Sequence, residues 1–475
     1  DRHALFDTVR GVRERLQASE DWAEDTVNGV MSFDPNGFSV GNYADTNGSG
    51  RGYVGWCWKA GGDKNTFNVD DVGYASASDV NMDVGGLNSS VYLMDEVYSD
   101  VLYGYNETHG AQFQSGAEAV KAFNGTIGSA WNEGASPLGS GPTTFIRFTP
   151  SSQVASNTVQ VYIQQNMDVN FFTGTPGSCE HVAGPFNTAV SAYFTKVDCG
   201  TVPAWDFMEM RSTNGTGGVY FGGIEIGGKL LIDSDVTPPT SVPTIAATGA
   251  SVGTKQGFSI TVQTAASGSG DTMQVAHGLT QKPDFIIGKD LDNGSTNWGV
   301  YHSSLGATNK VELDTTGAAA ANANYWANTE PTSSVIYTNA ASWMYTSASF
   351  VLYSWHDVPG LQKFGSYEGN NNIDGPYVEL GFEPAIIIFK NIDNTANWMI
   401  YDNVRDKFNV TYKCLYPNLQ NDENDTITDN EIDICSTGFK LRNDDGQSND
   451  GDTYIYAAWA YQPMNNLYGA QSNAR

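Results

Sequence analysis

Gly381-Phe382-Glu383-Pro384-Ala385-Ile386-Ile387-Ile388-Phe389-Lys390 opens the stretch that decides how this chain folds. A turn-like segment, Asn391 to Ala396, follows, and then Asn397-Trp398-Met399-Ile400-Tyr401-Asp402-Asn403-Val404-Arg405. Gly438-Phe439-Lys440-Leu441 and Gly451-Asp452-Thr453-Tyr454-Ile455-Tyr456-Ala457-Ala458-Trp459-Ala460 complete it. Short β-branched and aromatic runs, bounded by Asn, Asp and Gly, read as buried strands joined by tight turns. No long stretch here keeps the 3.6-residue period of a helix.

The pattern recurs. Leu279 to Lys289 matches the opening, Asn297-Trp298-Gly299-Val300-Tyr301-His302 matches Asn397 to Asp402, and Phe350 to Trp355 matches Tyr454 to Trp459. A third copy stands at the start. Asp7-Thr8-Val9-Arg10 matches Asp402 to Arg405, Gly37-Phe38-Ser39-Val40 matches Gly438 to Leu441, and Tyr53 to Trp58 matches Tyr454 to Trp459. Gly37 lies as far before Gly438 as Tyr53 before Tyr454, so these two matches share one register. Self-similarity at a long, fixed spacing makes the chain an array of one β module used about three times. In the second copy no clear Gly-Phe pair is visible, and Trp343-Met344-Tyr345 stands where that strand is expected.

The first copy is incomplete: nothing before Asp7 corresponds to the Pro-plus-apolar strand or the Asn-Trp strand. A module without two core strands exposes sheet edges. With Asp1, not Met, at the first position, the expectation is that Asp1 is not the natural start, and that upstream sequence or another subunit supplies the missing strands.

Composition narrows the function classes. The 475 residues suffice for three or four domains. A net charge of −29 argues against nucleic acid and anionic membrane as partners, since both select basic surfaces. No apolar run approaches the ~20 residues of a membrane span. Of the five cysteines, Cys57 in Trp56-Cys57-Trp58 reads as a buried strand residue. Cys414 with Cys435, and Cys179 with Cys199, could each close a short loop as disulfides; free thiols are the alternative for all five.

In chain order, the expected division is a partial module at 1–62, a connector at 63–95 and an inserted β-sandwich at 96–235. A Pro-rich linker at 236–256, a second module at 257–358, a third at 359–465 and a tail at 466–475 follow. The insert shows evenly spaced short strands, such as Thr143 to Phe148 and Thr158 to Ile163, which argue for an antiparallel sandwich. Its Ala122-Phe123-Asn124-Gly125-Thr126…Trp131 start and Ile224-Glu225-Ile226-Gly227-Gly228 close resemble galactose-binding-like (discoidin-type) jelly rolls, a resemblance that implies carbohydrate-binding ancestry. The fold class is thus all-β: tandem antiparallel, jelly-roll-like sandwich modules.

The repeated Gly-(Phe/Leu)-x-x-Pro-apolar-Lys, Asn-Trp-x-x-Tyr and Gly-Phe motifs resemble a β module of tailed-bacteriophage virion proteins, common in marine phage tail fibres. So does Tyr53-Val54-Gly55-Trp56-Cys57-Trp58-Lys59-Ala60-Gly61-Gly62. The resemblance covers the three modules. It implies a virion component that assembles with other virion proteins and forms a homo-oligomer, with a trimer as the guess.

No HExxH, nucleophile elbow or phosphate loop occurs, and with 53 acidic residues any carboxylate pair could be drawn. No catalytic residue is named, and the expectation is a protein that is not an enzyme. Two acidic loops could hold Ca²⁺ through Asp422 and Asp425, or through Asp444, Asp450 and Asp452; the plainer reading is solvated turns, with no cofactor. Trp56, Trp58, Trp298, Trp355, Trp398 and Trp459 recur at module positions, which fits core packing. Trp131, Trp205, Tyr103 and Tyr105 lie outside the repeats and are the candidates for contact with a host surface glycan. The function expected is a tail-fibre-like adhesin and scaffold on the extracellular particle. A polysaccharide-degrading tailspike and a capsid-decorating or neck-fibre protein are the alternatives.

Overall fold

Thr453–Ala460 is buried along nearly its whole length, and its neighbours show why. It lies between Gln362–Glu368 and Pro384–Asn391, and Met399–Asp402 completes a four-stranded antiparallel sheet. The second copy repeats this order with Phe258–Thr264, Ser349–Trp355, Phe285–Asp290 and Gly299–His302. We name the four, in chain order, the opening, Pro, Asn-Trp and closing strands. The computed structural model describes residues 2–85, 92–125, 127, 131–164, 167–187, 194–213, 218–235, 242–340, 342–423 and 430–462, with backbone alone at 131. The fold is all-β. The chain divides into two compact units, Asp1–Gly86 with Ser241–Arg475, and Leu87–Thr240.

Within the first unit, each four-stranded core faces a smaller sheet. In the second copy this is Thr272–Ala276 with Val335–Asn339; in the third it is Tyr377–Glu379, Gly438–Leu441 and Ile432–Cys435. Residues 343–345 are therefore not the missing strand of the second copy; Val335–Asn339 is. Trp343 instead fills the core from a loop. It lies against Gly288 and Gly299, where an added Cβ would come within 2.6 Å and 2.8 Å of its ring. The third copy has Phe389 and Met399 at these register positions, both fully buried. One indole thus replaces two large side chains, and interior volume is kept.

Local chemistry repeats as well. Asp290 Oδ1 accepts the N–H groups of Asp292 and Asn293, and Asn391 Oδ1 accepts those of Asp393 and Asn394, all at 2.9 Å. The preceding lysines are fully buried. Lys289 donates to the Thr296 carbonyl at 2.7 Å, and Lys390 to the Asn391 carbonyl at 2.6 Å. Burial lowers both ammonium pKa values to about 8.

The first copy holds Ala4–Asp7, Gly11–Gln17 and Asp25–Thr26 in one sheet, and Val30–Asp34 with Gly37–Val40 in a hairpin. Asp7 accepts from Val9 and Arg10 as Asp402 does from Val404 and Arg405, and each arginine returns an Nε–H to its aspartate. Tyr53 to Trp58, expected as the closing strand, joins no ladder among the described residues. Trp58 still reaches the place that Trp355 and Trp459 hold. The three rings lie 5.3–6.4 Å apart, each pair edge-on at 68–72°.

Polar contacts close the same ring of copies. Tyr353 of the second donates to Asp7 of the first at 2.6 Å. His302 of the second meets the Tyr456 carbonyl of the third at 3.0 Å, and Trp56 of the first donates to Asp402 of the third at 3.3 Å. A second set joins neighbouring copies through the Asn-Trp tryptophans: Trp298 donates to the Glu20 carbonyl at 3.0 Å and Trp398 to the Glu312 carbonyl at 2.8 Å. The three copies share one core, including Leu16, Phe285, Val311, Trp355, Ile386, Leu415 and Trp459.

The stretch 63–95, expected as a connector, supplies the hairpin Phe67–Val69 and Val72–Tyr74. It extends the second copy's sheet by pairing in parallel with Ala247–Gly253, itself inside the expected linker. Strands of three residues carry too few alternations to be read from sequence. The tail 466–475 lies outside the described residues.

The second unit is a sandwich of two five-stranded sheets. One runs Ser178–Asn187, Met167–Thr175, Phe207–Ser212, Phe145–Phe148, Leu102–Tyr105; the other runs Thr195–Val202, Asn157–Gln164, Tyr220–Ile226, Lys229–Leu231, Tyr92–Leu93. Their core holds Phe123, Phe148, Phe171, Trp205 and Phe221.

All five thiols are free, so neither Cys179–Cys199 nor Cys414–Cys435 is bonded. Cys179 is exposed on an edge strand while Cys199 is buried on the other sheet. Cys414 is buried, and its burial raises the thiol pKa to about 12; Cys435 lies half-buried on Ile432–Cys435. Cys57, expected inside a strand, is exposed because Trp56 and Trp58 take the inward positions.

Two expectations follow. Trp459→Ala should cost about 3–5 kcal/mol in denaturant unfolding of the first unit, as large-to-small changes in a full core do. The second concerns pH. His302 donates to Tyr456 and accepts from Ser304, and His277 likewise contacts the Thr332 carbonyl and accepts from Leu279. Burial lowers both imidazole pKa values from 6.5 to about 4. The unfolded chain then binds protons that the folded one does not, so these groups cost stability as pH falls from about 6.5 to about 4. Asp314 and Asp357, raised by burial to about 7 and about 6, act with opposite sign. The imidazole share is isolated by comparing wild type with His302→Gln, whose unfolding free energy should fall less steeply between pH 6.5 and 4.5.

Candidate functional site

The alternation Phe145-Ile146-Arg147-Phe148 puts Ile146 and Phe148 into the sandwich core and Phe145 and Arg147 on the outer face. Phe207–Ser212 does the same, with Met208 and Met210 inward and Glu209 and Arg211 outward. Leu102 and Gly104 are buried, which turns Tyr103 and Tyr105 outward at the sheet edge. Cross-strand pairing then sets these side chains in rows. Tyr105, Phe145, Arg211 and Asp168 form one row, Tyr103, Arg147, Glu209 and Asn170 the next, and Phe207, Phe172 and His181 a third.

The face is one connected strip. Tyr103 and Tyr105 stack with centroids 6.2 Å apart, and Phe145 lies 5.4 Å from Tyr105. The Arg211 guanidinium sits 4.6 Å from the Phe145 centroid, and that of Arg147 lies 5.0 Å from Phe145 and 5.4 Å from Phe207. Phe207 stacks on Phe172 at 4.9 Å, and His181 closes the strip edge-on to Phe172 while meeting Asn170 Oδ1 at 3.1 Å. Glu209 holds both arginines: Oε2 accepts from Arg147 at 2.7 Å and Oε1 from Arg211 Nε at 2.6 Å. Among the described residues the terminal nitrogens of Arg211 and Nη1 of Arg147 have no partner.

Such a strip can do two things at once. Aromatic faces take up an apolar ligand face, and a guanidinium fork takes up a carboxylate or sulfate. Glu209 fixes the forks in place, which lowers the ordering cost of recognition.

The structure brings together only part of the expected set. Tyr103 and Tyr105 stand on the strip, with Tyr103 42% exposed. Trp205 is fully buried against Phe171 and Phe148 and is no ligand contact. Trp131 begins a short 3-10 turn, and its side chain lies outside the described residues. Phe145, Arg147, Glu209 and Arg211 were not singled out from sequence; their signal was the strict alternation of Phe207-Met208-Glu209-Met210-Arg211.

For the acidic loops, no three His, Cys, Asp or Glu side chains come together among the described residues. Asp422 is exposed, and Asp425 lies outside the described residues. Asp452 accepts from Asn391 and Asn394 at 2.8 Å and 2.7 Å, and Asp450 accepts from the Gly451 amide. Asp444 is exposed on the same loop.

No curated protein and no solved structure matches this chain. A family profile matches residues 1–85 and 240–463, and the gap in the match coincides with the inserted sandwich. Those residues hold the three copies and their shared core, so the chain belongs to the family described as Domain of unknown function (DUF7483).

Proposed function

We propose that this chain is a non-catalytic structural component of a bacteriophage virion, a tail-fibre-like adhesin. Its repeat copies are the scaffold, and its inserted sandwich holds a host-surface glycan. The observation that carries the reading is the outer strip of Tyr103, Tyr105 and Phe145 flanked by Arg147 and Arg211. A pyranose offers an apolar C–H face to the rings and polar substituents to the forks. Two arginines with nitrogens unengaged among the described residues favour a carboxylated or sulfated sugar. The virion assignment is supported by the motifs that resemble tail-fibre modules. A homo-oligomer, as those motifs imply, would repeat the strip and let weak contacts add.

Glycan-array binding of the purified protein tests this. Acidic glycans should be retained, and Tyr103→Ala and Arg211→Ala should each weaken binding at least tenfold, about 1.4 kcal/mol. Both side chains are well exposed, so melting temperature should hold. Binding unchanged in both variants, or no glycan retained, overturns the glycan assignment. New reducing ends released from host polysaccharide would make the protein a tailspike enzyme instead. Immunogold labelling confined to the head would make it a capsid decoration.

A further inference from the structure

Among the described residues the first copy lacks the covering that its two sisters have, and three independent observations meet there. The first is the backbone of residues 53–60. Val54, Trp56 and Trp58 are half-buried and Ala60 buried, while Tyr53, Gly55, Cys57 and Lys59 are exposed. This is the period of a strand, in the register of the closing strands, since Trp58 completes the tryptophan triangle. Closing strands in the sister copies are paired on both edges. Residues 54–60 form no backbone hydrogen bond to a described residue.

The second observation is the edge of Ala4–Asp7. It stands in the place of the Asn-Trp strand that the sequence did not show before Asp7, and among the described residues it pairs with Gly11–Gln17 alone, whereas the sister Asn-Trp strands also pair with a Pro strand. The third is exposed apolar surface at positions that are interior elsewhere. Phe38 and Val40 are 42% and 41% exposed, and their counterparts Phe439 and Leu441 are fully buried. Phe38 lies beside Gly55 as Phe439 lies beside Tyr456, so the register holds. Tyr53 and Cys57 are exposed where Tyr454 and Ala458 are buried. In the third copy Phe439 is also covered by Phe389 of the Pro strand and Tyr367 of the opening strand.

We propose that the first copy is a strand acceptor: a partner polypeptide inserts a Pro strand between residues 53–60 and Ala4–Asp7, with an opening strand on the far edge. The occupant's chemistry is set by the sisters. It is an extended segment with an apolar run ending in Lys and then Asp or Asn, as in Phe285–Asp290 and Pro384–Asn391. Main-chain hydrogen bonds supply affinity and alternate side chains fill the open core. The lysine has a defined destination. Lys289 reaches the Asp21 carbonyl of the first copy at 3.2 Å, and Lys390 the Thr316 carbonyl of the second at 3.4 Å. The corresponding position in the third copy is Gln420, two residues after Asn418 as Thr316 is two after Asp314, since Asp314 and Asn418 each accept the N–H of their own copy's Asn-Trp tryptophan.

The probe is a synthetic peptide of residues 280–293, the second copy's own Pro strand, added to the full chain. It should bind saturably at one per chain, slow modification of Cys57 by a thiol reagent at least tenfold, and protect the amides of residues 54–60 from hydrogen exchange. A scrambled peptide should do none of these. Cys57→Arg places a charge in the sandwich interior only when the slot is filled, so it should abolish peptide binding while leaving the melting temperature of the free chain unchanged. No binding, or binding that leaves Cys57 equally reactive, overturns the proposal. Concentration-dependent dimerisation that protects Cys57 without peptide also overturns it, by assigning the slot to a second copy of this chain.

Discussion

Three indoles meet edge-on where the repeat copies converge, and most of the first unit follows from that meeting. Trp355 and Trp459 lie at the ends of strands hydrogen-bonded on both edges; Trp58 lies in a segment that joins no ladder among the described residues and arrives at the same point. Packing, rather than sheet pairing, therefore holds residues 53–60 in register. The surrounding polar contacts run between copies, so each buried group depends on a neighbour. His302 would lose its Tyr456 acceptor, and Asp7 its Tyr353 donor, if one copy moved. A buried polar group left unpaired costs ~1–3 kcal/mol, which ties the copies into one cooperative body.

Much of this was legible because the axis of the copies, the line on which the three tryptophans meet, keeps residue types. The Asn-Trp, the closing Trp and the Asp-x-x-Arg recur since each touches another copy. What was not legible lies where volume is closed locally. The second copy's Val335–Asn339 carries neither Gly nor Phe, so the Gly-Phe signal vanished, and Trp343 drew the strand assignment to itself. Its true part is to replace Phe389 and Met399 across two glycines, a swap no spacing rule reports. That residues 53–60 lack a ladder was equally hidden, because a ladder belongs to the segments beside a strand and leaves no mark on the strand's own sequence.

The outer strip shows the same division between local and distant information. Alternation around Leu102 and Gly104 turns Tyr103 and Tyr105 outward, and sequence could name them. The arginine that faces Tyr103 is paired to Glu209, 62 residues further along the chain, and no local pattern joins them. Trp205 misled for a related reason. It was a candidate because it lies outside the repeats, which says nothing of burial, and a bridge to Val154 turns its ring into the core. The cysteine pairs failed on placement: loop length admitted both, but neighbouring strands sent the thiols to different environments.

Interior drift beside a fixed axis also accounts for where the chain admits a second unit. The insertion leaves after Gly85 and returns by Pro243, and the Gly85 N–H donates to the Pro243 carbonyl at 2.9 Å. Just inside, Ala247 donates to the Met82 carbonyl, and Ala247–Gly253 pairs in parallel with Phe67–Val69. The two ends are thus already joined by backbone bonds at the far edge of the second copy's sheet, away from the tryptophan triangle. A sandwich with its own core can be placed at such a point without disturbing a contact that any repeat copy needs. An insertion in the turn after Asp290 or Asn391 would instead break side-chain-capped turns that position Trp298 and Trp398 against the neighbouring copy. The place where new surface can be added is therefore set by distance from the axis, and loop length alone does not decide it.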